Sequence, residues 1–140
     1  MENGIINMKQ EDRELLFKDL SARLPYHVRV KVWLKDGTTE EGVLDLEHNY
    51  GDVLRDAFYY NKIVDIKPYL RPMSSMTEEE TKEYRKTQIT KWVKSVDCTN
   101  RGYYEHKNTL KTFDWLLANR FDYRDLISTG LAIEASEGMY

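Results

Sequence analysis

The feature that most constrains this chain is a run of strict alternation. Val28, Val30, Val32 and Leu34 interleave with Arg29, Lys31, Trp33 and Lys35. Successive side chains of a strand point to opposite faces, so the run predicts a β-strand with one apolar face and one charged, aromatic face. Asp36-Gly37 follows at once and suits a tight turn. Thr38 to Leu46 then reads as the returning strand, with Val43 and Leu44 as its apolar part. An isolated hairpin is marginal in water, so the rest of the chain must extend and cover it.

The covering element precedes it. Glu11 to Leu20 reads as a helix with Leu15, Leu16 and Leu20 on one face and Phe17 beside them. Glu11, Asp12 and Glu14 favour the positive end of its dipole, and Pro25 lies beyond its end. This block spans residues 9–25. Val53 to Tyr60 reads as a further strand, and Ile63 to Ile66 as another, ended by Pro68. Gly42 marks an expected bulge. Residues 26–70 thus form a β-rich part: a small curved antiparallel sheet or an SH3/Sm-like barrel. The run Val28-x-Val30-x-Val32-x-Leu34-x-Asp36-Gly37, with Gly42-x-Leu44, looks like the opening strands of such barrels.

A proline-bearing connector, Tyr69 to Ser75, leads into a helical part over residues 76–130. Thr77 followed by Glu78, Glu79 and Glu80 is a capping-box signature. Ile89, Trp92, Val93 and Val96 carry helical spacing, so the helix is expected to run to about Val96. Tyr103 and Tyr104 suit a short strand or a loop. Leu110 to Asn119 reads as a helix with Phe113, Leu116 and Leu117 inward and Trp115 at the side. Tyr123 to Thr129 reads as helical turns stopped by Gly130. The tail, 131–140, is expected to fray beyond Leu131 and Ile133. The fold class is α+β, in a single compact domain over residues 1–140: an N-terminal helix, a small sheet or barrel, then C-terminal helices.

Composition excludes several classes. Hydrophobic residues at 41% and aromatics at 12% are too many for a disordered chain. Cys98 is the single cysteine, so no internal disulfide forms. Met1 to Gln10 lacks the pattern of a secretory signal, and no apolar run approaches a membrane span. A cytoplasmic protein without a membrane partner is the expectation.

Catalytic signatures are sparse. His27, His48 and His106 fall in separate segments without metal-ligand spacing. Glu47, His48 and Asp52 share one loop, the single place for a hydrolase reading. Cys98 is placed at a helix end, which supplies no activating dipole. No phosphate-cradling glycine loop or Gly-x-Ser-x-Gly elbow occurs. No catalytic residue, metal or cofactor is assigned.

Two binding readings follow. Aromatic and arginine side chains dominate protein interfaces. Trp33, Tyr59, Tyr60, Tyr69 and Arg71 are therefore the candidates for contact with a protein partner or a second copy. This reading, a non-enzymatic accessory protein, is the one the residues favour. The other reading is nucleic acid. The net charge is −3, but Thr81 to Lys111 holds eight basic residues against three acidic ones. Lys82, Arg85, Lys86, Lys91, Lys94 and Arg101 would contact phosphates, with Tyr103 and Tyr104 stacking on bases. Glu40 to Asp56 reverses the sign, with six acids against Arg55.

Three stretches carry a family likeness. They are Lys18-Asp19-Leu20-x-Ala22-Arg23-Leu24-Pro25-Tyr26, the run from Ile66 to Glu80, and Phe121 to Ile127 followed by Gly130-Leu131-Ala132. Together they resemble a group of uncharacterised Bacteroidetes proteins often found in prophage-like surroundings. The resemblance implies a bacterial or phage accessory protein and carries no activity or site residues with it.

Overall fold

The alternating run becomes the central strand β1 (Val28–Leu34), flanked on both sides by partners. Strand β2 (Thr39–Leu44) returns antiparallel from the turn, pairing Val28 with Leu44 through Trp33 with Thr39. Gly37 adopts φ +88°, a conformation that glycine takes without cost. Asp36 Oδ1 accepts from Thr38 N at 2.9 Å and from Thr38 Oγ1 at 2.5 Å, which fixes the turn. The computed structural model describes residues 5, 8–45, 50–59, 63–88, 90–94, 102–106 and 109–139.

Strand β3 (Ile63–Leu70) lies antiparallel on the other side of β1, and the short strand β6 (Ile133–Glu134) pairs parallel to β3. The sheet order is β2-β1-β3-β6. The sheet is therefore open and mixed, and the expected SH3/Sm-like barrel is corrected. One strand of the expected barrel does not form. Val53 to Tyr60 contributes helix α2 (Tyr50–Phe58) in place of a strand. Its Leu54, Ala57 and Phe58 are buried at helical spacing, while Arg55 is exposed. Gly42 holds regular register opposite Val30; the irregularity falls between Trp33 and Leu34.

Pro68 does not end β3. Leu70 O accepts from Ala135 N at 2.8 Å, so this parity of the strand faces β6. The missing N–H of Pro68, two residues earlier, meets the flank where β6 pairing has not begun, since that pairing starts at Tyr69 and Ile133. Proline thus occupies a position at which no ladder bond is lost.

Helix α1 (Gln10–Arg23) and α2 cover one face of the sheet. Leu16 and Leu20 of α1 are fully buried with Val28, Val30, Leu44, Ile66 and Leu70 of the strands. Phe17 meets Phe58 edge-on at 5.1 Å. Truncating Leu16 or Leu20 to alanine would cost about 2–5 kcal/mol. The alternation of β1 is the cause: its valines point at the helices, and the intervening residues cannot.

Helix α3 (Glu78–Thr87) begins at the expected capping box. Thr77 Oγ1 accepts from Glu80 N, and Glu80 Oε1 accepts from Thr77 N, both at 3.1 Å. The helix stops at Thr87, short of Val96. Strand β4 (Thr90–Lys94) follows and pairs antiparallel with β5 (Gly102–His106), Trp92 opposite Tyr104 and Val93 opposite Tyr103. Thr90, Trp92 and Val93 suit a strand once a partner lies across, and that partner is outside the local window that predicts a helix. Ile89 and Val96 lie outside the described residues.

Helix α4 (Thr109–Ala118) packs on α3. Leu116 and Leu117 are buried as expected, whereas Phe113 is 41% exposed. Trp115 is the ring that turns inward: it stacks on Tyr84 at 5.7 Å and on Phe121 at 5.5 Å. The tail does not fray where expected. Leu131, Ala132 and Ala135 are buried, and β6 ties the segment to Leu70. No described helix is long and apolar enough to cross a membrane.

Candidate functional site

Alternation puts Arg29, Lys31 and Trp33 of β1 on the sheet face opposite the core. Their cross-strand partners join them: Val43, Glu41 and Thr39 from β2, and Lys67 and Asp65 from β3. Tyr69 belongs to the same face, because its hydroxyl donates to Glu41 Oε1 at 2.5 Å, reaching from β3 past β1 to β2. The Glu41 hydrogen bond and burial hold the Tyr69 phenol above its ordinary pKa.

Trp33 is the centre of this face. Lys31 Nζ lies 5.3 Å and Lys67 Nζ 5.8 Å from its ring centroid. Each cation–π contact is worth about 0.5–1 kcal/mol at a half-exposed site, and two of them hold the indole in place. Among the described residues paired in register on this face, Arg29, Lys31 and Lys67 stand against one exposed carboxylate, that of Glu41. Asp65, across from Trp33 in register, is only 2% exposed. Burial raises its pKa, with the Lys67 charge and the Ile66 N–H opposing.

The other protein-contact candidates lie elsewhere. Tyr59 is 66% exposed on the helical layer, beside Phe17 at 6.0 Å, over a shallow hollow that Gln10, Arg13 and Glu14 help to line. Arg71 is 4% exposed and braces the fold. It pairs with Glu80 and lies over the Phe121 ring at 4.2 Å. Tyr60 lies outside the described residues. Trp33 and Tyr69 are thus the pair that the fold brings onto one surface.

The basic segment is divided by the hairpin. Lys82, Arg85 and Lys86 are exposed on α3, with Glu78, Glu79 and Glu83 exposed on the same helix. Lys91 and Lys94 sit on β4, and a spacing of three that shares a face on a helix has opposite parity on a strand. Tyr103 and Tyr104 are neighbours in β5 and differ in parity for the same reason. Arg101 lies outside the described residues. The basic residues are therefore divided between α3 and the β4-β5 hairpin.

The loop of the hydrolase reading is only partly described: Glu47 and His48 lie outside, and Asp52 falls within α2. Cys98 also lies outside. Among the described residues no three His, Cys, Asp or Glu side chains gather as a metal set. A buried polar cluster does occur. Asp19 and Arg23 pair at 2.8 Å with both side chains almost fully buried, and Arg23 Nη2 donates to Phe121 O at 2.8 Å. This joins α1 to the chain leaving α4.

Lys67 and Glu41 were not singled out from the sequence. Lys67 needs β3 to continue through Pro68, and Glu41 needs the hairpin register. Comparison with protein-family models, curated proteins and solved structures returns no match for this chain.

Proposed function

We propose that the chain is a non-enzymatic binding module that recognises an acidic protein surface through the outer face of its sheet. The observation that carries this reading is Trp33, flanked by Lys31 and Lys67 on a face where Arg29, Glu41 and Val43 are exposed. A tryptophan already ordered by its neighbours loses little side-chain freedom on binding, and buried aromatics dominate interface energetics. The three cations of this face, Lys31 and Lys67 beside the ring and Arg29 further along β1, favour a negatively charged partner and speed its encounter. The family resemblance supports an accessory role in a bacterial cytoplasm.

The test is site-specific photo-crosslinking at Lys31 in the source cells, followed by affinity measurement with the captured partner. Trp33→Ala should weaken binding by about 2 kcal/mol, roughly thirtyfold. Lys31→Glu with Lys67→Glu should abolish it, and binding by the parent chain should weaken as salt rises. Partner affinity unchanged in both variants would defeat the proposal. So would salt-sensitive binding of oligonucleotides that is lost on neutralising Lys82, Arg85 and Lys86, which would make nucleic acid the ligand.

A further inference from the structure

A second surface feature stands at the start of β1; it shares Arg29 and Val43 with the face above but is carried by different observations. His27, Arg29, Val43, Arg120 and Met139 line a hollow of about 440 Å³. Arg120 Nε donates to His27 O at 3.2 Å, which ties its two sides together. His27 Nδ1 stands 3.2 Å from Oδ2 of the buried Asp45, so among the described residues the ring is held through that one nitrogen.

The backbone here is unusual. His27 has φ +61° and ψ +104°, and Arg120 has φ +62°. The Arg120 conformation belongs to the end of α4. Arg120 N donates to Leu117 O at 3.1 Å and Phe121 N to Leu116 O at 2.9 Å, the two bonds of a Schellman ending. Glycine is the residue that this position favours, as at Gly130, where the same two-bond pattern closes the turn after Leu126. Here an arginine occupies it, and a histidine occupies the facing left-handed position. Two nitrogen-bearing side chains, an imidazole and a guanidinium, are kept at backbone cost on the two sides of one hollow.

We infer that this hollow is a binding site for a small organic oxyanion, a carboxylate or a phosphate monoester. Arg29 and Arg120 supply planar donors that match such an anion, and His27 supplies a further ring nitrogen. Neither arginine has a carboxylate partner among the described residues. Val43, 53% exposed, and Met139 form an apolar wall, so the ligand carries an apolar portion beside its charge.

The experiment follows the amide NMR resonances of His27, Arg29, Val43 and Arg120 in the full chain. Benzoate, phenyl phosphate, acetate and inorganic phosphate are added in turn. Saturable shifts with at least one aromatic anion, stronger than with its small counterpart, are expected. The tighter of benzoate and phenyl phosphate tells a carboxylate ligand from a phosphate one. Arg29→Gln and Arg120→Gly should each weaken binding about tenfold. Arg120→Gly suits the backbone and Arg29 is exposed, so both variants should fold. No saturation by any of the four anions at about 10 mM, or affinities unchanged in both variants, would overturn the inference. Equal affinity for the aromatic anions and their small counterparts would remove the apolar wall from it.

Discussion

The guanidinium of Arg71 and the carboxylate of Glu80 meet as a two-pronged pair, Nη1 to Oε2 at 2.7 Å and Nη2 to Oε1 at 2.8 Å. The same carboxylate closes the capping box of α3 on Thr77, and the same guanidinium lies over Phe121 just beyond α4. One pair thus joins the end of β3 to both C-terminal helices. The Arg71 hydrogen bonds pull the Glu80 carboxyl down to about 2, against a smaller opposing effect of burial.

This pair should give stability a measurable pH dependence. A carboxyl whose pKa is depressed by folding stabilises the folded state above its ordinary value of 4.5, and that contribution fades as pH falls toward about 2. Glu80→Gln should cost about 1–2 kcal/mol at neutral pH and almost nothing near the lower limit. Urea melts of both proteins across this range check it; an equal cost at both ends would refute the assignment.

Asp65 should behave in the opposite sense. Burial raises its pKa above the ordinary 3.8, so its neutral form suits the fold. Its favourable contribution is present at low pH and lost as pH rises through the folded value. Asp65→Asn, which keeps an oxygen for the Ile66 N–H, should raise the melting temperature by a few degrees at neutral pH. The gain should vanish in acid. A loss of stability at neutral pH would contradict this.

Gly130 and Arg120 offer a paired backbone test. Both are left-handed, at φ +79° and +62°. A Cβ at position 130 meets nothing within 4 Å, so Gly130→Ala should cost about 1 kcal/mol through conformation alone. Arg120→Gly gains a similar backbone preference and loses the hydrogen bond to His27 O, leaving thermal stability within about 1 kcal/mol of the parent. Thermal melts that show Gly130→Ala as neutral would remove the backbone argument.

The α3 cap should act locally. Thr77→Ala removes the acceptor for Glu80 N and should cost about 1 kcal/mol. Hydrogen exchange should quicken first at the Glu80 and Thr81 amides, while protection of β1 stays as it was. Uniform acceleration across the chain would show that the cap acts on global stability instead.

Local chemistry made much of this molecule legible. The alternation of β1, the Asp36-Gly37 turn, the leucine face of α1 and the capping box at Thr77 each depend on residues a few positions apart, and each stands in the structure as the sequence implied. The polar side of β1 also stands opposite its valines, with Arg29 exposed and Lys31 and Trp33 half-buried.

The rest turns on partners far away in the chain. Val53 to Phe58 coils because α1 and the sheet offer its Leu54, Ala57 and Phe58 a common apolar surface. Trp92 and Val93 extend because β5 lies across from them, and β3 runs through Pro68 because its unpaired side meets no strand there. The hollow at His27 joins residues 93 positions apart, and the cluster around Trp33 needs Lys67 in register with Lys31. Periodicity and turn residues alone settled β1 and the turn after it, the apolar face of α1 and the start of α3. Tertiary structure decided which strands pair, which ring turns inward and which charges share a surface, because those depend on burial and long-range hydrogen bonding that no local window contains.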